Sequence, residues 1–405
     1  MTDQPISDAQ LTAEVRAWLA ANWDAAQKVK AENFGRSPYQ PFLEKVLATG
    51  YAVPTWPKTR WGLGLKPAQA RIIEQEFAAV GAPGAAQDKH NLWANTVLAH
   101  ATPDFRDEVL PKLLTGALGM CLLYSEPGAG SDLAAVRTRA DRETGTGGDQ
   151  FRVNGQKVWT SGAAVADYGM LIARTDWDAP KHKGISFFFL PMKQPGVEVR
   201  PLRQITDESH FNEVFITDAM VPAANLLGPL NGGWAVLQTA LAYERSVMGD
   251  AARGPRSGKG GPKGDGALVE LAREAGVLDD PLIRQDIAQV TAWKILNRLN
   301  NNRAKADLKR GTSSPIMSLG KLAMSRILHQ EARLRTLMLG AESLLEGPEH
   351  PRAEDANFLS LNAYFTSIGG GTDQIQRNII GERVLGLPKE PEIDREMPFR
   401  EVKSG

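Results

Sequence analysis

The apolar residues of this chain change their spacing twice, and each change marks a change of architecture. Up to about residue 120 the period is helical. In "LTAEVRAWLAANWD", Leu11, Val15, Trp18 and Leu19 fall at i, i+4, i+7 and i+8, on one face. "PAQARIIEQEFAAVGAP" carries Pro67 in its first turn and closes on Gly81 and Pro83, the punctuation of a helix. Between them "VPTWPKTRWGLG", dense in proline and tryptophan, reads as a packed loop.

From about 121 to 226 the rhythm shortens toward a period of two. "DQFRVNGQKVWTSG" sets Asn154-Gly155 between alternating runs, which predicts a hairpin turn at that dipeptide. "YGMLIART", "GISFFFLPM", "VEVRPL" and "FNEVFITDAMVP" follow as short strands, and their spacing predicts an antiparallel barrel or sandwich. After Gly228 the helical period returns. Met324, Ile327, Leu328, Leu334, Met338, Ala341 and Leu345 form one broad stripe, which predicts a long helix in a bundle. The fold class expected is α+β multidomain: an N-terminal helical domain (1–120), a β domain (121–226) and a C-terminal helical bundle (227–405).

Charge narrows the function classes. Lys and Arg number 47 and Asp and Glu 47, so no overall field draws the chain to nucleic acid or an anionic membrane. A single cysteine, Cys121, excludes an intrachain disulfide and a cysteine-built metal site. The start, "MTDQPISDAQLTAEVRAWLAANW", is polar and acidic before it becomes amphipathic, unlike a signal peptide. No run approaches the ~20 apolar residues of a membrane span, and a cytoplasmic location is expected. "DAARGPRSGKGGPKGDG", Asp250 to Gly266, lacks an apolar anchor and reads as a mobile insertion. Its "GPRSGKG" is one residue short of a Walker loop, lacks Ser or Thr after Lys259 and follows a helix-like run.

Four stretches hold chemistry-bearing residues. "LLYSEPGAGSDLAAVRTRA" combines Ser125 and Ser131 with a tight Pro-Gly-Ala-Gly turn, whose small residues let a ligand meet the backbone, although taken alone it reads first as a plain turn. "GQKVWTSG" sets Trp159 beside the hydroxyls of Thr160 and Ser161, a flat face with polar edges that also fits ordinary core. "LQTALAYERSVMG" reads as a helix bearing adjacent Glu244 and Arg245, which do not face each other and are otherwise two solvated side chains. In "SIGGGTDQIQRNIIGERVLGLP", Gly369, Gly370 and Gly371 lead to Thr372 as N-cap and Asp373 in a first helical turn, with Gln374 and Gln376 adding amides. A helix N-terminus of this kind offers free N–H groups to an anion or polar ligand.

In this order and spacing, "YSEPGAGSDLAAVRTRA", "GQKVWTSG", "FNEVFITDAMVPAANLLG" and "GGGTDQIQRNIIGERVLGLP" resemble the acyl-CoA dehydrogenase family over nearly the whole chain. The resemblance implies FAD between the β domain and the C-terminal helices, usually at a subunit interface. Carried over by motif, Ser125, Gly130 and Ser131 line the flavin and the start of the CoA arm. Trp159, Thr160 and Ser161 lie along the isoalloxazine, and Gly371, Thr372 and Gln374 touch the cofactor from the C-terminal side. Arg245 matches an arginine near the acyl-CoA. Gln285, and with a looser spacing Arg273, match a glutamine and an arginine that a neighbouring subunit contributes.

The reaction so implied takes the α-proton of an acyl-CoA thioester onto a carboxylate while hydride leaves the β-carbon for flavin N5, giving a trans-2-enoyl-CoA in a β-oxidation type of lipid metabolism. Electrons then pass to an electron-transferring flavoprotein. The commonest members carry a glutamate immediately before the Gly-Thr of the last motif, where this chain has Gly370. A minority carry the base on the helix after the β domain, where this chain has Glu244. Glu244 is therefore the expected base, with the Gly370 N–H left to polarise the thioester carbonyl. The alternatives are an oxidase that reduces oxygen and a non-catalytic subunit of a heterotetramer. The assembly expected is a homotetramer or dimer, or a heterotetramer with a related subunit.

Overall fold

The computed structural model describes residues 6–27, 35–145, 148–251, 264, 266–310 and 316–403. The chain divides into two compact units: Met1–Gln204 with Ser209–Ser246 and Ile393–Gly405, and Ile205–Glu208 with Val247–Glu392. Most of the Gly, Pro and basic segment at 250–266 lies outside the described residues.

The first unit opens with helices α1 (Asp8–Asn22), α2 (Gln40–Thr49), α3 (Pro67–Val80), α4 (Gln87–His90), α5 (Leu92–His100) and α6 (Pro103–Leu114). Ser7 and Gln10 cap α1 reciprocally, each side chain meeting the other's backbone N–H, and Leu11, Val15 and Leu19 bury the face read from the sequence. Gly81 ends α3 in the left-handed conformation, where a side chain would be strained.

The strands β1 (Met120–Leu123), β2 (Arg139–Gly145), β3 (Gly148–Ser161), β4 (Tyr168–Arg174), β5 (Ile185–Pro191), β6 (Val197–Leu202), β7 (Phe211–Pro222) and β8 (Leu226–Leu227) form one sheet. Its order is β6-β7-β3-β2-β4-β5-β8, with β1 parallel to β4. Most pairings are antiparallel; β2 also meets β4 in parallel at Arg139 and Arg174. β4 and β5 are apolar on both faces because both are covered. Met170, Ile172, Phe187 and Phe189 join the core shared with the N-terminal helices, while Leu171, Ala173, Phe188 and Leu190 join a second core.

The hairpin expected at Asn154-Gly155 is not there. β3 runs straight through that dipeptide, and its turn toward β2 lies where Gly145 pairs with Gly148. Asn154 instead marks a bulge against β7, its amide donating to Asp218 Oδ1 (3.1 Å) and its carbonyl oxygen accepting from the Asp218 N–H (2.9 Å). Glycine follows because a Cβ at 155 would stand 2.4 Å from Thr138 Oγ1. What the structure uses at this dipeptide is the missing Cβ of Gly155, not a left-handed backbone.

After the sheet comes α7 (Gly233–Ala251), with Val236, Leu237 and Ala240 buried in the N-terminal core. The chain's last segment also belongs to the first unit. Phe399 is buried with the Arg174 guanidinium 3.4 Å above its ring, and the Arg400 N–H donates to Trp177 O (3.0 Å).

The second unit contains α8 (Ala267–Glu274), α9 (Pro281–Lys309), α10 (Ile316–Leu339), α11 (Pro351–Ile368) and α12 (Asp373–Arg383). Ile327, Leu334 and Met338 of the expected stripe are buried with Leu268, Leu271 and Val290. The stripe stops early: Gly340 takes a positive φ of 54°, the helix gives way to a 3-10 turn, and Ala341 and Leu345 are exposed. Among the described residues no helix is long and apolar enough to cross a membrane.

Candidate active site

In the first unit the glycine-bearing loop after β1 is built around a buried ion pair. The chain leaves β1 at Tyr124 and turns at 126–129, where Glu126 and Ala129 exchange backbone hydrogen bonds of 3.0 Å. Glu126 points inward. Lys157 Nζ donates to its Oε1 (2.8 Å) and to Tyr124 O (3.1 Å), and the N–H groups of Thr138 (2.9 Å) and Arg137 (2.6 Å) complete the carboxylate. Burial pushes the Glu126 carboxyl up, but the Lys157 ammonium and these donors outweigh it and hold it below its ordinary value. A tightly satisfied pair of this kind fixes the loop to β3. The Val158 N–H donation to Ser125 O (2.9 Å) adds a second tie.

What the loop presents is open. Gly128 and Gly130 have ordinary φ, and a Cβ built on either would meet no atom within 4 Å. Neither backbone strain nor packing demands glycine there, and the backbone at both positions is open to close approach. Ser125 is half-buried; Gly130 and Ser131 are exposed. On β3, the register slips between Lys157 and Thr160, and Trp159 sits in that bulge at a φ of 61°. The bulge turns the indole outward: it is 57% exposed, with the edge of Phe211 against it (5.9 Å). Thr160 is buried, and its Oγ1 has no hydrogen-bond partner among the described residues, while Asn212 holds its carbonyl (3.0 Å). Ser161 is half-buried. An exposed aromatic face beside an unsatisfied hydroxyl and two open glycines can receive a planar heteroaromatic ring with polar edges.

Glu244 lies in the same unit. Leu237, Ala240, Leu241 and Glu244 recur at i, i+3, i+4 and i+7, so a carboxylate continues the stripe that α7 packs into the core. Its side chain is half-buried, with Oε2 shielded from solvent. That core also holds Tyr124, which is 7% exposed and edge-on to Phe187 at 5.9 Å. The Tyr124 hydroxyl is buried with no hydrogen-bond partner among the described residues. Burial, and after it the negative charge of Glu244, push the Tyr124 phenol well above its usual range. The first unit thus places a shielded carboxylate near a neutral O–H donor. The side chain of Arg245 lies outside the described residues.

In the second unit the three glycines form a turn between α11 and α12. Gly370 and Gly371 take φ of 66° and 89°, a conformation that L side chains rarely adopt. Thr372 caps α12, its Oγ1 accepting from the Ile375 N–H (3.2 Å), which leaves its hydroxyl proton available. Gln374 is exposed, whereas Gln376 turns inward and donates to Gly370 O (3.4 Å). Gln285 on α9 and Arg273 on α8 are exposed on this unit.

The sequence drew attention to the open loop, Trp159, Glu244 and the glycine turn. It missed Tyr124 and the Glu126–Lys157 pair. An aromatic after an apolar strand reads as core, and an alternating strand gives no sign that its lysine points in. Among the described residues no group of His, Cys, Asp and Glu could hold a metal ion.

Family models described as the N-terminal, middle and C-terminal domains of acyl-CoA dehydrogenase match residues 7–117, 121–218 and 231–385. The acyl-CoA dehydrogenase IpdE1 of Mycolicibacterium smegmatis is 36% identical over 403 residues, covering 94% of this chain and 98% of its own length. Among solved structures, one titled "Tcur3481-Tcur3483 steroid ACAD" matches with a TM-score of 0.69 at 26% identity, over 96% of this chain and 99% of that chain. The ChsE4-ChsE5 complex from Mycobacterium tuberculosis matches with a TM-score of 0.63 at 27% identity, over 96% of this chain and 100% of that chain.

Proposed function

This chain belongs to the acyl-CoA dehydrogenase family, and from that premise we propose that Glu244 is the base that takes the α-proton of its acyl-CoA substrate. Its reaction class is the dehydrogenation of acyl-CoA, and its cofactor is FAD. The residues present fit that cofactor: the exposed Trp159 face and the open backbone at Gly128 and Gly130 could take a planar ring, and the buried Thr160 hydroxyl is left without a partner among the described residues. FAD, when bound, supplies the hydride acceptor. Carried over by motif, the proposed cofactor contacts are Ser125, Gly130, Ser131, Trp159, Thr160, Ser161, Gly371, Thr372 and Gln374, with Gln285 and Arg273 offered by a neighbouring subunit. Arg245 serves the acyl-CoA.

One observation carries the assignment of the base: Glu244 extends a buried apolar stripe, with an oxygen shielded from water and its charge felt by the buried Tyr124 phenol. A carboxylate oxygen held out of bulk water on the inner face of α7 is placed to accept a proton from carbon, where a positioned base contributes on the order of 10²–10⁴ in rate. Tyr124 stays protonated at neutral pH, a donor close to that charge. Gly370, whose carbonyl is taken by Gln376, offers its N–H to the thioester oxygen and no side chain to the acyl group. The space left there, together with the likeness to a steroid enzyme, favours a bulky ring-bearing acyl group over a straight chain. Electron-transferring flavoprotein is the proposed acceptor, and a related second chain the proposed partner.

The test is Glu244→Gln in FAD-loaded protein, mixed without oxygen with straight, branched and polycyclic acyl-CoA thioesters while flavin bleaching is followed. Loss of about 10²–10⁴ in rate at unchanged FAD content is expected. Undiminished bleaching removes Glu244 from the role. Hydrogen peroxide released in air identifies an oxidase instead, and protein purified without yellow colour points to a subunit completed by its partner.

A further inference from the structure

A polar chain inside the helical unit ends on the glycine turn, and hydrogen-bond bookkeeping fixes its direction. Lys321, Ser325 and His329 share one face of α10, four residues apart. Lys321 Nζ lies 3.3 Å from Asp373 Oδ1, and Ser325 Oγ donates to Asp373 Oδ2 at 2.8 Å. Ser325 Oγ is also 2.9 Å from Ser367 Oγ, and Ser367 Oγ is 2.6 Å from His329 Nε2. The ring of His329 is edge-on to Tyr364 at 4.9 Å.

The Asp373 carboxylate, paired with an ammonium, only accepts. Ser325 has one proton and spends it there, so the bond to Ser367 uses the Ser367 proton. Ala363 O, the other acceptor near Ser367, lies at 3.5 Å. Ser367 can then only accept from His329, whose Nε2 must carry hydrogen. The chain runs one way: His329, Ser367, Ser325, Asp373.

Ser367 and Asp373 stand immediately before and after the stretch Ile368–Thr372 that contains the three glycines. A turn of that composition has great conformational freedom, yet both of its ends are tied to one buried hydroxyl, Ser325, which is 1% exposed. We propose that Ser325 is a positioning residue for the cofactor: by holding both ends of the glycine turn to α10 it fixes the entrance of α12, where Thr372 and Gln374 meet FAD. This rests on the reading above that the α12 entrance contacts FAD.

Two measurements test it, neither needing acyl-CoA, so the fate of Glu244 does not enter. In the full-length FAD-loaded protein, nitrogen-15 NMR of His329 is expected to show a protonated Nε2; a bare Nε2 overturns the direction of the chain. FAD affinity, measured by titrating apoprotein, is expected to fall on the order of tenfold in Ser325→Ala, the size of one charge-assisted hydrogen bond. Ser367→Ala, which frees only the upstream end, is expected to lose less. A Ser325→Ala apoprotein that melts earlier but binds FAD as tightly as the parent shows a merely structural hydroxyl and overturns the proposal. Should that variant fail to fold, unchanged FAD affinity in Ser367→Ala does the same.

Discussion

Two glycine-bearing loops, one in each unit, are held by different chemistry and use glycine for different reasons. The loop after β1 is anchored by opposite charges, Lys157 on Glu126, both buried. Its glycines have ordinary φ and empty space beyond them. The turn before α12 is anchored by the Ser325 hydroxyl on both Ser367 and Asp373, beside a half-buried Lys321–Asp373 pair (3.3 Å), and Gly370 and Gly371 are there because the backbone is left-handed. In the first loop the glycines meet no neighbour; in the second they permit a shape. Both loops carry an ion pair, fully buried in the first, while the second adds a run of weaker hydroxyl bonds to a backbone already restricted.

The hardest test of that contrast is Lys157→Met. It leaves the Glu126 carboxylate buried and alone, and a stability loss of about 3–5 kcal/mol is expected by denaturant unfolding. A loss under about 1 kcal/mol would mean the pair is not what anchors the first loop. Next comes acid. Asp167 is bound by Arg36 (2.9 Å) and Lys193 (2.7 Å) and by the Gly119 N–H (2.9 Å), and the Arg36 guanidinium, ahead of the others, holds its carboxyl well below the ordinary range. A depressed folded value contributes stability that is complete above the unfolded value, near about 4, and drains away as pH falls through the folded one. Asp167→Asn is therefore expected to cost about 2 kcal/mol at neutral pH and progressively less toward low pH. A cost independent of pH would refute the charge-based account.

The finest comparison is between two alanines. Gly371→Ala must adopt a φ of 89° and bring a Cβ 3.0 Å from Gln376 Nε2, so a loss of about 1–2 kcal/mol is expected. Gly130→Ala meets nothing and is expected to change stability by no more than about 0.5 kcal/mol while weakening FAD binding. If the alanine at 130 destabilises the apoprotein as much as the one at 371, the two uses of glycine are not distinct.

Much of the architecture was legible from the sequence because apolar periodicity is a local record of which face meets the core. The face of α1 and the Pro67-to-Gly81 helix follow it, while the unbroken apolar runs of β4 and β5 mark strands covered on both faces. The Asn154-Gly155 dipeptide failed as a hairpin because glycine is there for close packing against Thr138, within a bulge of a strand that runs on. The long stripe of α10 was read too far because Gly340 breaks the helix where apolar residues continue. Glu244 could be singled out as a carboxylate on a helix, but its burial could not, since that depends on α7 packing beside Tyr124.

By itself, then, the amino-acid order determined the helical, β, helical succession, the open turn at Gly128 and Gly130, and the absence of an acid at position 370. The tertiary structure alone decided that Trp159 turns outward, that Lys157 neutralises Glu126, and that one hydroxyl on α10 ties both ends of the glycine turn. Periodicity reports which way a side chain faces relative to its own element. Pairing between residues far apart in the chain, as between Ser325 and Asp373, exists only once the elements have packed.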